Sequence, residues 1–240
     1  MKTTILKGGF LYHDTPVGVL CLESFFPKPR GHIRNPRTFT FPVVQSVVEG
    51  VDIPKLLFNP KPELIQPFID AARKLEQQGV QAITGSCGFL ARFQSIIAEQ
   101  VNVPVFLSSL LQIPLVRLMH GASAHIGVLT ASAEALTQEH FSNVGVDIDD
   151  YFIKGMEGKP EFWETIIEGK RNDFDMVKLE QEICSAAVDL AQGKKLDALI
   201  LECTDLSAFA NSIQQAIGLP VYDIDSLVEY VGYSVCRKVY

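Results

Sequence analysis

Residues 79–106 read GVQAITGSCGFLARFQSIIAEQVNVPVF, and residues 195–222 read KLDALILECTDLSAFANSIQQAIGLPVY. Superposed on Cys87 and Cys203, the two stretches match in kind. Ala82 meets Ala198, Ile83 meets Leu199, Leu90 meets Leu206, Phe93 meets Phe209 and Ile97 meets Ile213. Further on, Val101 meets Ile217, Val103 meets Leu219 and Pro104 meets Pro220, each proline 17 residues after its cysteine. Upstream, VGVL at 17–20 echoes IGVL at 126–129. Apolar matches alone are easily found, but apolar matches in register with a cysteine and a proline indicate an internal repeat. Two similar half-chains of about 110 residues follow from it.

Working outward, short apolar runs alternate with longer amphipathic ones. Strands are expected at 17–22, 42–48, 82–85, 103–106, 125–129, 151–154, 198–201 and 220–222, several of them continuously apolar, as strands buried on both faces are. Helices are expected near 62–78, 89–100, 109–119, 132–142, 160–169, 173–193, 206–217 and 225–240. The predicted fold class is α/β, with two similar lobes. Each lobe is a small parallel sheet flanked by helices, the two are related by pseudo-twofold symmetry, and the active site lies in the cleft between them. The first lobe takes residues 1–110 plus 226–240 and carries Cys87; the second takes 111–225 and carries Cys203.

The chain has 240 residues, 47% apolar and 20% charged, with 21 basic and 28 acidic side chains and a net charge of -7. This composition excludes a disordered or fibrous chain. An acidic protein is a poor match for nucleic acid or an anionic membrane, and no apolar run approaches the ~20 residues that span a bilayer. The N-terminal MKTTILKGGFLYHDTPVG lacks the pattern of a signal peptide, so a cytoplasmic location is expected. The five cysteines form no CxxC pair and suit a reducing compartment.

Cys87 and Cys203 each follow a buried strand and precede a helix. A helix N-terminus favours an anion and lowers a thiol pKa. A strand-end cysteine taken alone is ordinary core, but two at equivalent repeat positions approach one cleft from opposite sides. Such a pair suits inversion at a stereocentre, one thiol removing a proton and the other returning one. Cys21, Cys184 and Cys236 read as packing residues.

The motifs ITGSCGFL at 83–90, LILECTDL at 199–206 and GVLTASAEA at 127–135 resemble those of the aspartate/glutamate/hydantoin racemase superfamily. Glu202 stands where that family usually has glycine, and Cys87-Gly88-Phe89 replaces its Cys-Asn-Thr. The resemblance implies a cofactor-independent racemase or epimerase of an amino acid or related small carboxylate, using neither pyridoxal phosphate nor a metal, with Cys87 and Cys203 as the acid/base pair. It implies that Ser86, Gly88, Phe89, Thr130, Ser132 and Thr204 hold the substrate carboxylate. Glu23 lies near where one branch keeps a supporting acid, and Glu202 or Asp205 is placed to support Cys203. Alternatives are a decarboxylase or cis-trans isomerase of the same fold, or a non-catalytic metabolite-binding protein. A homodimer is expected for this class.

PKPRGHIRNPR at 27–37 carries Lys28, Arg30, His32, Arg34 and Arg37 without an acid. Its prolines make it a loop, and its place after the first strand puts it over the cleft. It reads either as a clamp for an anionic substrate, with Arg34 and Asn35 the favoured contributors, or as a solvated loop or subunit contact. GxGxxG, P-loop, GxSxG and HExxH motifs are absent. His120, His125, Trp163 and the acids at 147, 149 and 150 read as packing or surface groups.

Overall fold

A computed structural model describes residues 8–237. Its strands are β1 (Val17–Glu23), β2 (Val43–Asp52), β3 (Ala82–Gly85), β4 (Val105–Phe106), β5 (Ile126–Leu129), β6 (Phe152–Lys154), β7 (Ala198–Leu201) and β8 (Val221–Tyr222). They form two four-stranded parallel sheets, ordered β2-β1-β3-β4 and β6-β5-β7-β8. The helices are α1 (Ile53–Phe58), α2 (Ile65–Gln78), α3 (Gln94–Ala98), α4 (Ile113–His120), α5 (Gln138–Ser142), α6 (Pro160–Phe162), α7 (Met176–Ala191), α8 (Ala210–Ile217) and α9 (Ile224–Val235). A π-helical turn, Trp163–Ile167, continues α6.

The repeat is visible in three dimensions. β1 and β3 pair as Val17 with Ala82 through Leu20 with Gly85, and β5 and β7 pair as Ile126 with Ala198 through Leu129 with Leu201. The glycines of VGVL and IGVL explain why those four-residue stretches echo each other. A Cβ on Gly18 would stand 3.0 Å from Leu75 of α2, and one on Gly127 would stand 3.0 Å from Leu196 and 3.2 Å from Leu190 of α7. The central strand of each sheet therefore lets its covering helix approach closely. α2 buries Phe68, Ile69, Ala72 and Leu75 on that face and ends at Gly79, whose left-handed backbone (φ +103°) closes the last turn. The opposite face of the first sheet, with Val17, Val19, Cys21 and Ala82, is covered by Ile224 and Val228 of α9.

Three expected elements differ. The segment 53–58 is helical although it reads as a connection; Asp52 caps it by accepting from the Lys55 amide at 2.9 Å, with Pro54 inside the first turn. The helix expected over 132–142 is confined to 138–142, because Thr137 caps there while Ser132 Oγ turns back to accept from the Ala135 amide. The stretches just after Cys87 and Cys203 run first as 3-10 turns, Gly88–Phe93 and Thr204–Phe209, before α3 and α8 begin. The last three residues of the helix expected over 225–240, like residues 1–7, lie outside the described residues. No helix among the described residues is long and apolar enough to cross a membrane.

Gly18→Ala and Gly127→Ala should each lower unfolding free energy by roughly 1–3 kcal/mol through overpacking. Urea titration should read this as a lower midpoint with an unchanged slope.

Candidate functional site

Parallel strands bring the ends of β3 and β7 face to face. At that meeting the residue after each cysteine packs on the residue before the other. Thr204 Oγ1 donates to the Ser86 carbonyl at 2.6 Å. Gly88 lies so close to Glu202 that a Cβ there would stand 2.0 Å from the Glu202 carbonyl oxygen and 2.3 Å from its Oε1. The two turns interlock, and Gly88 is glycine because Glu202 occupies the space of its side chain.

This crossing sets Cys87 and Cys203 on one narrow pocket of about 390 Å3, mouth included. Its apolar wall includes Leu22, Phe26, Ile53, Leu57, Phe89 and Ile167. Its polar groups include Ser24, Lys28, His32, Arg34, Ser86 and Asp205. Of the residues singled out from sequence, Cys87, Cys203, Ser86, Gly88, Phe89 and Arg34 therefore line the pocket. Thr130, Ser132 and Thr204 do not; they are buried beneath it. Thr130 Oγ1 bonds Glu202 Oε2 at 2.7 Å, and Ser132 and Thr204 are used as described above. Asn35 ties the basic loop together, its Nδ2 donating to the Lys28 carbonyl and its Oδ1 accepting from the Arg37 amide. Glu23 lines a neighbouring groove with Asp52 and Glu168.

The 27–37 segment is irregular, as its prolines require, and is folded onto the second half of the chain. A Cβ on Gly31 would stand 2.9 Å from Ala208 Cα. The Arg34 amide donates to His32 Nδ1 at 2.9 Å, which leaves the proton on Nε2 to donate to Asp205 Oδ1 at 2.8 Å. Arg34 Nη1 donates to the Leu22 carbonyl and to Ser24 Oγ. Lys28 Nζ lies over the Phe26 ring and donates to the Phe26 carbonyl at 2.8 Å. Burial pulls its pKa down to about 8, against the attraction of Asp205.

The thiols are unequally equipped. Cys203 Sγ donates to Asp205 Oδ2 at 3.5 Å. The equivalent residue in the first half is Phe89, whose ring meets His140 edge-on at 5.1 Å. The expectation that a helix N-terminus would lower both thiol pKa values is overturned. Burial pushes each well above its ordinary value, reinforced at Cys87 by Glu202 and at Cys203 by Asp205. The physical reason is that a 3-10 turn follows each cysteine, so the thiols do not cap an α-helix, and desolvation next to acids outweighs the turn's amides. Asp205 is held low: burial would raise it, but the His32 hydrogen bond and the charge of Lys28 more than offset that.

Sequence reasoning missed the wall supplied by Ile53 and Leu57. The Asp52-Ile53-Pro54 cap signature was the available signal for the helix that carries them. Lys28 and His32 were visible only as part of a basic cluster, with nothing to separate them from the exposed Arg30 and Arg37.

No protein-family model matches the chain. It is 34% identical over 225 residues to dimethylsulfoniopropionate lyase 6 of Emiliania huxleyi, covering 89% of this chain and 58% of that protein. It is 30% identical over 216 residues to the dimethylsulfoniopropionate lyase of Durusdinium sp. clade D, covering 86% of this chain and 70% of that protein. The chain thus spans less than two thirds of the Emiliania relative. Among solved structures, glutamate racemase from Francisella tularensis in complex with D-glutamate matches over 95% of this chain and 85% of that chain, with TM-score 0.55 and 18% identity. Unliganded arylmalonate decarboxylase matches over 94% of each, with TM-score 0.55 and 15% identity. The fold is that of the aspartate/glutamate/hydantoin racemase superfamily, two parallel-sheet lobes in pseudo-twofold relation. The expectation of an isomerase, a racemase or epimerase using two equivalent thiols, is corrected by the sequence relatives, which are lyases. The motifs that carried it specify a fold and a pair of cysteines, and a fold does not fix the reaction.

Gly88→Ala should cost more than Gly18→Ala, because the clash is with Glu202 backbone as well as its carboxyl and neither can swing aside. A drop in unfolding free energy at the upper end of about 1–3 kcal/mol or beyond is expected, read by the same urea titration.

Proposed function

The chain belongs to the family of the dimethylsulfoniopropionate lyases, and from that premise we propose that it cleaves dimethylsulfoniopropionate, or a close β-sulfonium carboxylate, by elimination. A base takes the proton on the carbon next to the carboxylate. That C–H electron pair becomes the new carbon–carbon double bond, and the bond from the β-carbon to sulfur breaks with its pair going to sulfur. Acrylate and neutral dimethyl sulfide leave, and the proton stays on the base. Such a substrate is a zwitterion, and the pocket carries both signs of charge: Lys28 and Arg34 beside the loop, and Asp205 beside Cys203. The cationic pair suits the carboxylate, whose negative charge grows as the proton leaves. The apolar wall around Phe26, Ile53 and Leu57 suits the two methyl groups.

The observation that carries the reading is the hydrogen bond from Cys203 to Asp205, which Cys87 lacks. An elimination discharges one proton per turnover, whereas an inversion returns it to the product. Its base therefore needs an outlet. Cys203 serves as the base, and its proton leaves along the hydrogen bond to Asp205, whose side chain is still 10% exposed at the pocket and relays it to water once an incoming sulfonium has lowered the thiol's pKa. The substrate's sulfonium adds a positive charge beside Cys203, which lowers the cost of the Cys203 thiolate at neutral pH. Cys87 has no proton to return and acts as the neutral wall opposite.

Incubation with dimethylsulfoniopropionate should release dimethyl sulfide and acrylate in equal amounts; absence of both at millimolar substrate and neutral pH would refute the reading. Cys203→Ser should lose on the order of 10²–10⁴ in kcat/KM, the range of a general base, and Cys87→Ser should lose less.

Lys28 carries its charge below about pH 8 and loses it above. KM for the substrate should therefore rise as pH passes 8. Lys28→Met should show a high KM at every pH, with that rise abolished and kcat changed less than KM.

A further inference from the structure

Glu202 is a buried acid at the crossing with no place in the reaction just described. It is completely buried. Oε2 pairs with Thr130 Oγ1 at 2.7 Å, and Oε1 has no partner. The groups around it are Thr130 from the turn after β5, Gly88 and the Cys87 thiol from the turn after β3, and Cys203 and Asp205 from its own turn. No cation pairs with it among the described residues. A carboxylate in such a place has lost its water and gained no counter-charge, so the neutral acid is the form the site favours.

We propose that Glu202 is a positioning residue that works protonated: wedged against the Gly88 backbone between the two cysteine turns, it keeps a second negative charge away from the thiols, so that one of them can ionise. The inference rests on the thiol-base reading above. Burial sets the carboxyl near pH 8, with Asp205 adding to the rise and Thr130 opposing it. Below that pH Glu202 is neutral and adds nothing to the cost of a thiolate. Above it Glu202 is an anion beside both sulfurs and raises that cost. The device is self-limiting, since the alkaline conditions that would ionise a free thiol first ionise the acid that opposes it.

The test is the pH dependence of alkylation by iodoacetamide, read separately at Cys87 and Cys203 by mass spectrometry in the native protein. Glu202→Gln keeps the shape and removes the charge. At pH 9 it should be alkylated on the order of tenfold faster than the parent at one or both thiols, the size expected for one charge removed at short range. Below pH 7 the two proteins should react alike. Coincident profiles in a variant that keeps its circular dichroism spectrum would overturn the proposal. If that variant does not fold, Thr130→Val provides the second arm. Losing the hydrogen bond that lowers Glu202 should move the alkaline retardation to higher pH, and an unmoved profile counts against the proposal equally. Alkylation needs no substrate. A shifted profile without dimethyl sulfide release would leave this inference standing and remove the elimination reading; release with an unshifted profile would do the reverse.

Discussion

Everything at the site depends on one contact, the crossing of two strand ends that each carry a cysteine. Thr204 reaches the Ser86 carbonyl from one side, and Gly88 lies flat on Glu202 from the other. The contact is pseudo-symmetric in backbone and asymmetric in side chain. Ser86 and Glu202 occupy equivalent places, as do Gly88 and Thr204, so a bulky buried acid on one strand is matched by a missing side chain on the other. Duplication supplies the meeting of two thiols, and divergence of the flanking residues decides what they do there.

That divergence is chiefly electrostatic. Two carboxyl groups and two thiols share a desolvated space whose nearest cations come from a loop that folds in from the first sheet. Burial opposes every charge in it. Only Asp205 escapes, because His32 donates to it and Lys28 lies nearby. For the two thiols and Glu202, burial favours the protonated form.

The eight strands and their grouping into two sheets were legible because strands buried on both faces are apolar runs, and because two matched halves reinforce each other's registers. The pair of cysteines was legible for the same reason. Residues whose importance comes from tertiary contact were not. Thr130, Ser132 and Thr204 look like cleft hydroxyls by position, yet they serve the layer beneath, because strand-end hydroxyls at a buried crossing satisfy neighbouring polar groups before they meet solvent. Asn35 looked like a ligand and is a loop brace. The thiol pKa direction was misjudged because helix propensity after each cysteine was visible, whereas the 3-10 geometry and the depth of burial were not. Least legible was the difference between the two thiols' surroundings, since it lies in the contacts of the residue two places after each cysteine, Phe89 against His140 and Asp205 against His32.

The packing of α9 against the first sheet has a consequence for synthesis. Val17, Val19 and Ala82 belong to strands complete by residue 106 and cluster with Ile33 and Phe106 of the same half, but part of their cover, Ile224 and Val228, lies near the other end of the described chain. At ribosomal speeds of about 5–20 residues per second, that face waits on the order of ten seconds for its cover. During translation the earlier-made half thus keeps part of an apolar face uncovered until α9 is made, and that part is the surface a nascent-chain chaperone would meet.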